Sequence, residues 1–310
     1  MADKLELTHP WLIAVWPGMG GVALNAGVYL LAKLEMTVIA EFEANDLFDV
    51  DHVEVKDGLI QAGRRPRNRL FLWSDPNKRH DLVVFLGEAQ PPLGKYPFCR
   101  QLIGYAKEYG IERVMTFAAM ATQMHPGDRS RVFGAATDEE SLAELKRLEL
   151  DVLGEGQIGG LNGVLLGAAA EADLPGACLL GEMPHVFTQF PFPKASLAIL
   201  EAFSTMSGVE LDLTELSDQA RVMEEQLGEL LSRVERRIGE PQEEGEEDDA
   251  GYRIDTPDEE QASAADLERI EQLFEQSRKD RSKTFELKQF LDRLGLFKDY
   301  EDRFLDLFKK

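Results

Sequence analysis

Short apolar runs alternate with amphipathic segments through the first two-thirds of the chain. Residues 11–16 (WLIAVW) predict a buried strand, and residues 22–35 a helix. Segments 36–43, 52–60 and 68–73 are rich in β-branched and aromatic residues and predict strands. The run DLVVFLGE (81–88) has the continuous apolar character of a central strand. A helix is expected from Phe98 to Tyr109, ended by Gly110, then a strand over 113–119. The helix over 137–150 has Thr137 as N-cap and Glu140 at the capping-box position. A small-residue helix (161–172), a short strand (176–182) and a helix (194–207) stopped by Gly208 follow. This alternation predicts an α/β fold in three α/β/α layers, with a mainly parallel sheet covered on both faces.

Beyond residue 214 the pattern changes. Residues 215–238 predict one charged amphipathic helix. Residues 239–260 hold eleven acids against Arg253, and so carry ten of the chain's 23 net negative charges. Such a stretch is expected to be a self-repelling linker. From residue 263 helical spacing resumes, dense in leucine and phenylalanine, and that surface must bury against the main domain, a second copy or a partner. The expected organisation is an α/β domain over 1–214, a helix over 215–238, an acidic disordered linker over 239–262 and a helical tail over 263–310.

Composition narrows the function. The 310 residues are 44% hydrophobic, enough for a large core, and carry a net charge of −23. An acidic surface repels phosphate backbones and anionic lipid, so nucleic-acid and membrane partners are not expected. No apolar stretch approaches the roughly 20 residues that span a bilayer, and no secretory leader is visible, which points to the cytoplasm. Two distant cysteines, Cys99 and Cys178, and five histidines without HExxH spacing argue against a disulfide scaffold or a metal site. Neither a Ser-His-Asp set nor a G-x-S-x-G motif can be assembled, so no catalytic residue and no cofactor are assigned.

Three motifs have chemical potential. Gly18, Gly20 and Ala23 satisfy G-x-G-x-x-G/A between a strand and a helix, with Glu41 or Glu43 placed for a ribose. The same glycines equally make a tight strand-to-helix turn. Glu88 and Glu182 sit at the carboxyl ends of expected strands, where ligand crevices of open α/β sheets lie, but strand-end carboxylates also cap backbone donors. Gly159 to Gly163 open a helix that could cradle an anion, or pack closely through Gly163 and Gly167 against a neighbouring helix or subunit. The ligand-binding candidates are Gly18, Gly20, Asn25, Glu88, Gln90, Asn162 and Glu182. The interface candidates are Gly163, Gly167, Phe304 and Phe308.

Several blocks occur in a joint order: LIAVWPGMGGVALNAG (12–27), RPRNRLFLW (65–73), DLVVFLGEAQPP (81–92), RVFGAATDEE (131–140), GQIGGLNGVLLG (156–167), CLLGEMP (178–184) and PKASLAILEAFSTMSGVELD (193–212). Together they resemble the proteasome assembly chaperone 2 family, in its bacterial and archaeal branch. The resemblance implies a domain similar to nucleoside phosphorylases, homo-oligomers, and a protein client such as proteasome-like subunits. It makes a non-catalytic assembly chaperone the leading expectation, and a nucleotide- or nucleoside-binding enzyme, ATP-grasp-like or phosphorylase-like, the alternative. Relatives that dock on proteasome rings can end in a hydrophobic-tyrosine-any residue tail. The sequence Asp306-Leu307-Phe308-Lys309-Lys310 lacks that tyrosine.

Overall fold

The computed structural model describes residues 6–50, 53, 55–56, 58–239 and 262–309. The acidic stretch over 240–261, expected to be a disordered linker, lies outside the described residues. The chain divides into two compact units, residues 1–224 and 225–310.

The first unit is built on an eight-stranded sheet. Its strands are β1 (Trp11–Val15), β2 (Thr37–Glu41), β5 (Asn68–Trp73), β6 (Leu82–Gly87), β7 (Arg113–Thr122), β8 (Val132–Ala136), β9 (Asp151–Val152) and β10 (Gly176–Pro184). The order across the sheet is β2-β5-β6-β1-β7-β10-β8-β9. A separate two-stranded ribbon, β3 (Val55–Lys56) and β4 (Leu59–Ile60), lies between β2 and β5 in sequence. The four central strands β6, β1, β7 and β10 run parallel. Toward the margins β5 runs antiparallel to β6, and β8 antiparallel to β10. The sheet is therefore mixed: parallel through its middle, reversed at β5 on one flank and at β8 and β9 on the other, with edge strand β2 running again with the centre.

Alternation along the central strands fills both faces, as a sheet covered on both sides requires. Leu12, Ala14 and Trp16 join a core with Phe98, Cys99 and Leu102 of α2 (Lys95–Glu108) and Leu161 and Leu165 of α4 (Gly160–Glu171). On the other face, α1 (Val22–Lys33) lies so close that a Cβ on Gly27 would sit 2.6 Å from Val15 Cγ2. Beside it, Phe203 of α5 (Pro193–Ser207) meets Phe117 with ring centroids 5.6 Å apart. These helices and the sheet make the three layers expected from the sequence.

Helix α3 (Glu139–Arg147) connects β8 to β9. Its N-cap is Asp138 rather than Thr137, because the Asp138 carboxylate accepts the Ser141 amide at 2.9 Å. Helix α6 (Thr214–Gly239) leaves the first unit from an anchored start: Tyr29 donates to the Asp212 carbonyl at 2.6 Å, and Lys33 pairs with Glu215 at 3.1 Å.

In the second unit, α7 (Ala264–Lys279), α8 (Thr284–Arg293) and α9 (Phe297–Leu305) bury Ile270, Phe274, Phe285, Leu291 and Phe304. Ser263 and Asp266 close a capping box at the start of α7. Phe304 packs edge-on to Phe297 and Phe308, and Arg303 lies 3.9 Å from the Phe274 ring centroid while pairing with Glu271. Much of the tail's aromatic surface is thus used inside the unit itself.

Candidate functional site

Two of the chain's four Leu-Gly-Glu tripeptides lie at the carboxyl end of β6 (Leu86, Gly87, Glu88) and in β10 (Leu180, Gly181, Glu182). In both places the glycine admits a close neighbour. A Cβ on Gly87 would lie 2.5 Å from the Trp16 indole, and one on Gly181 would lie 2.6 Å from the Ala195 carbonyl. In both places the glutamate is buried at 2% exposure and held by arginine.

Reversal of the flanking strands creates these pairs. The start of β5 lies beside the end of β6, so the Glu88 amide donates to the Arg67 carbonyl at 3.0 Å and the Arg67 amide returns a bond to Glu88 Oε2 at 2.9 Å. Arg64 reaches the same oxygen at 3.1 Å, and the fully buried Arg69 lies 3.2 Å from Oε1. On the other flank, the segment entering β8 lies beside β10. The Glu182 amide donates to the Arg131 carbonyl at 2.8 Å. Arg131 Nε and Nη2 grip the two carboxylate oxygens at 2.8 Å each, and Thr122 donates to Oε1 at 2.8 Å. The Arg131 hydrogen bonds hold the Glu182 carboxyl below its ordinary range against the opposing effect of burial.

Glu182 also floors an open groove of about 510 Å³ lined by Thr122, Met124, Asp128, Arg129 and Arg131. Lys194 fixes its rim, donating at 2.8 Å to the carbonyls of Pro126 and Asp128 and pairing with Glu224 at 2.7 Å. The groove's charged lining is balanced, two arginines against two acids.

The glycine turn is engaged in packing. Gly20 and Gly21 both have φ +60°, the left-handed region that favours glycine. The Gly20 amide donates to the Thr188 carbonyl at 2.8 Å, and the Gly21 amide to the Gly18 carbonyl at 3.0 Å. A pyrophosphate would compete with these bonds for the same donors. Glu41, one of the two acids placed for a ribose, is paired with Arg67.

Gln90 joins three of the candidate loops. Its Oε1 accepts the Leu161 amide at 3.1 Å, at the start of α4, and its Nε2 donates to the Pro17 carbonyl at 3.3 Å. Gly159, the N-cap, has no side chain to offer, so Gln90 supplies the cap from another strand end. The structure therefore brings Gly18, Gly20, Gln90 and the α4 N-terminus carrying Asn162 into one neighbourhood. Glu88 leads into the Gln90 loop but faces the β5 arginines. Glu182 belongs to the separate groove. Asn25 lies in the second turn of α1, and its Oδ1, like that of Asn162, is buried without a hydrogen-bond partner in the protein.

Burial pushes the thiols of Cys99 and Cys178 up to about 12, which removes both as nucleophiles near neutral pH. Among the described residues no group of three or more His, Cys, Asp or Glu side chains is placed to hold a metal ion, and no helix is long and apolar enough to cross a membrane.

The interface candidates separate. Gly167 is exposed with open space above it. Gly163 lies under its own loop, where a Cβ would clash with the Ile158 carbonyl. Phe304 and Phe308 are fully buried within the chain, which corrects the expectation that they present a docking surface. Large exposed apolar side chains among the described residues include Met19, Leu93, Val186, Leu267 of α7 and, on and beside the ribbon, Val53, Val55, Leu59 and Ile60. The sequence reading did not single out Arg69, Arg131 or the ribbon as functional. The available signal for the first two was a glutamate closing an apolar strand run, at Glu88 and at Glu182; Leu-Gly-Glu itself also occurs at 153–155 and 227–229.

Comparison with known proteins is consistent along the first unit and into the following helix. The sequence profile of the PAC2 family matches residues 12–231. An uncharacterised protein of Methanocaldococcus jannaschii is 30% identical over 235 residues, 72% of this chain and 83% of its own. The fold resembles the crystal structure of Pyrococcus furiosus PbaB, an archaeal proteasome activator, with a TM-score of 0.62 and 24% identity over 75% of this chain and 96% of that one. It also resembles Pyrococcus furiosus PbaA, an archaeal homologue of proteasome-assembly chaperone. There the TM-score is 0.58 and identity 25%, over 76% of this chain and 92% of PbaA.

Proposed function

Because the chain belongs to the PAC2 family, we propose that it is a non-catalytic assembly chaperone or scaffold that oligomerises and binds other proteins, with proteasome-like subunits as the client class. The observation that carries this reading is the state of the two strand-end carboxylates. Glu88 and Glu182 stand where a metabolite-processing α/β enzyme would place reactive groups, yet each is buried and neutralised by its own arginines. A general acid or base needs a pKa poised near the working pH. Glu182 is held in the opposite direction. The Gln90 bridge likewise spends the α4 N-terminus on holding loops together.

Affinity capture from the native cytoplasm, followed by reconstitution with the purified partner, tests the reading with the full chain and with residues 215–310 removed. A stoichiometric complex with a proteasome-like subunit is expected. The reading fails if neither form holds a protein partner while nucleotides or nucleosides raise the melting temperature. A ligand at a hundredfold excess over its Kd would add about 2.7 kcal/mol of stability.

A further inference from the structure

At the rim where the central strands begin, the indole of Trp11, the first residue of β1, meets two side chains. The His80 imidazole stacks on it, with ring centroids 4.4 Å apart and 7° between the planes. The Arg113 guanidinium of β7 lies 4.7 Å from the same indole and pairs with Glu144 of α3. His80 stands in the connection from β5 to β6, and its Nε2 is buried without a hydrogen-bond partner among the described residues. A neutral imidazole can leave a lone pair at that nitrogen. An imidazolium carries a proton on both nitrogens, so it would bury an unanswered N–H there.

The carboxylates around His80 are already engaged. Asp75 accepts the Asn77 amide, the Arg79 amide and the Arg79 Nε at 2.9, 3.0 and 3.1 Å. Asp81 accepts the Asp75 amide at 2.9 Å and the Thr8 amide at 2.8 Å. Burial, joined by the Arg79 and Arg113 charges, pushes the His80 imidazole below its ordinary value against the pull of Asp75 and Asp81. An indole face attracts cations, but Trp11 already holds Arg113 there. The same connection fastens residues 8–11. The Asp81 amide donates to the Thr8 carbonyl at 2.8 Å, and the Trp11 amide to the Asp81 carbonyl at 2.9 Å. His9, the other titratable ring of that segment, is exposed and pairs with Glu112 at 2.9 Å.

We propose that His80 is an acid-sensitive latch: neutral, it stays stacked on Trp11 and holds residues 8–11 against the 75–81 turn; protonated, it swings out to water and loosens that hold. The open ring takes up a proton near the ordinary histidine value of about 6.5, and the closed ring resists it. The closed form is therefore favoured above that pH and gives way as pH falls below it. This device is independent of the oligomerising-scaffold reading.

Nuclear magnetic resonance of the full chain, with isotope label in the histidine and tryptophan rings, tests it. His80→Gln and Trp11→Phe assign the two rings among the chain's five histidines and three tryptophans. The His80 titration is expected to have its midpoint below about 6.5, with the Trp11 indole signal moving at that same midpoint. Amide exchange at Thr8 and Asp81, corrected for the intrinsic pH dependence of exchange, should quicken by about threefold or more between pH 7 and pH 5 and stay flat in His80→Gln. Arg113→Gln should bring the midpoint up toward the free value. A wild-type midpoint at or above about 6.5 overturns the proposal, because the indole then welcomes the cation. A low midpoint with Trp11 and Thr8 unmoved overturns the latch, since His80 would then be a buried histidine that releases nothing.

Discussion

Arg131 meets Glu182 edge to edge, with Nε and Nη2 each 2.8 Å from a different carboxylate oxygen, and the pair is closed from below by the Thr122 hydroxyl. The folded protein holds the Glu182 carboxyl below its ordinary range, chiefly through the Arg131 hydrogen bonds. A depressed folded-state pKa stabilises the native state above the unfolded value, near 4.3, and that stability drains as pH falls through the folded value. Urea unfolding between pH 7 and pH 3 should therefore show an acid loss that Glu182→Gln reduces. At pH 7 the same change should cost about 1–3 kcal/mol. An unchanged acid slope in the variant would remove this pair as a contributor.

On the other flank, Arg69 is fully buried and its guanidinium lies 3.2 Å from Glu88. Arg69→Met keeps much of the volume and leaves Glu88 buried with less counter-charge. Breaking such a pair costs about 3–5 kcal/mol. Adding Glu88→Gln to Arg69→Met should recover part of that loss, since the stranded charge is gone. The double-mutant cycle by chemical denaturation measures the coupling.

Gly87 and Gly181 should resist substitution for steric reasons. Gly181→Ala would place a methyl 2.6 Å from the Ala195 backbone carbonyl, and α5 would have to move away from β10. Gly87→Ala would push on the buried Trp16 indole. Overpacking of this kind costs about 1–3 kcal/mol. The expected readouts are a lower melting temperature for both and altered tryptophan fluorescence for Gly87→Ala.

Gln90→Ala should free the Leu161 amide at the start of α4 and loosen the loop after β1. Hydrogen exchange at Leu161 should accelerate, with a stability loss of about 1–2 kcal/mol. Gln90→Glu keeps the acceptor for the Leu161 amide but loses the donor to the Pro17 carbonyl. It should protect Leu161 better than alanine does.

How much of this was legible in the sequence follows from how local each cause is. The α/β alternation, the helix stop at Gly208 and the central strand over 81–88 follow from residues close in the chain, and all appear in the structure. β8 was missed because VFGAA has no strong apolar alternation; Gly134 is there because Leu145 of α3 packs onto it, with a Cβ 2.9 Å from Leu145 Cδ1. The segment 52–60 was expected as one strand, but Gly58 at φ +77° folds its described part into a ribbon. The candidate site was half legible. Glu88 and Glu182 stand out at strand ends, but their arginines come from strands whose reversed direction no local spacing reveals. The tail aromatics announced burial without saying where, since Phe274 meets Tyr300 only once α7 and α9 are brought together.

The reversed flanks of the sheet have a consequence for what can approach it. In an all-parallel sheet, Glu88 and Glu182 would stand at the same rim without strand beginnings beside them. Because β5 and β8 run the other way, each brings basic side chains to that rim, and both strand-end carboxylates are matched by arginines on a strongly anionic protein. A partner docking at that rim would meet paired charges and exposed side chains such as Met19 and Val186, so its affinity should change little with ionic strength.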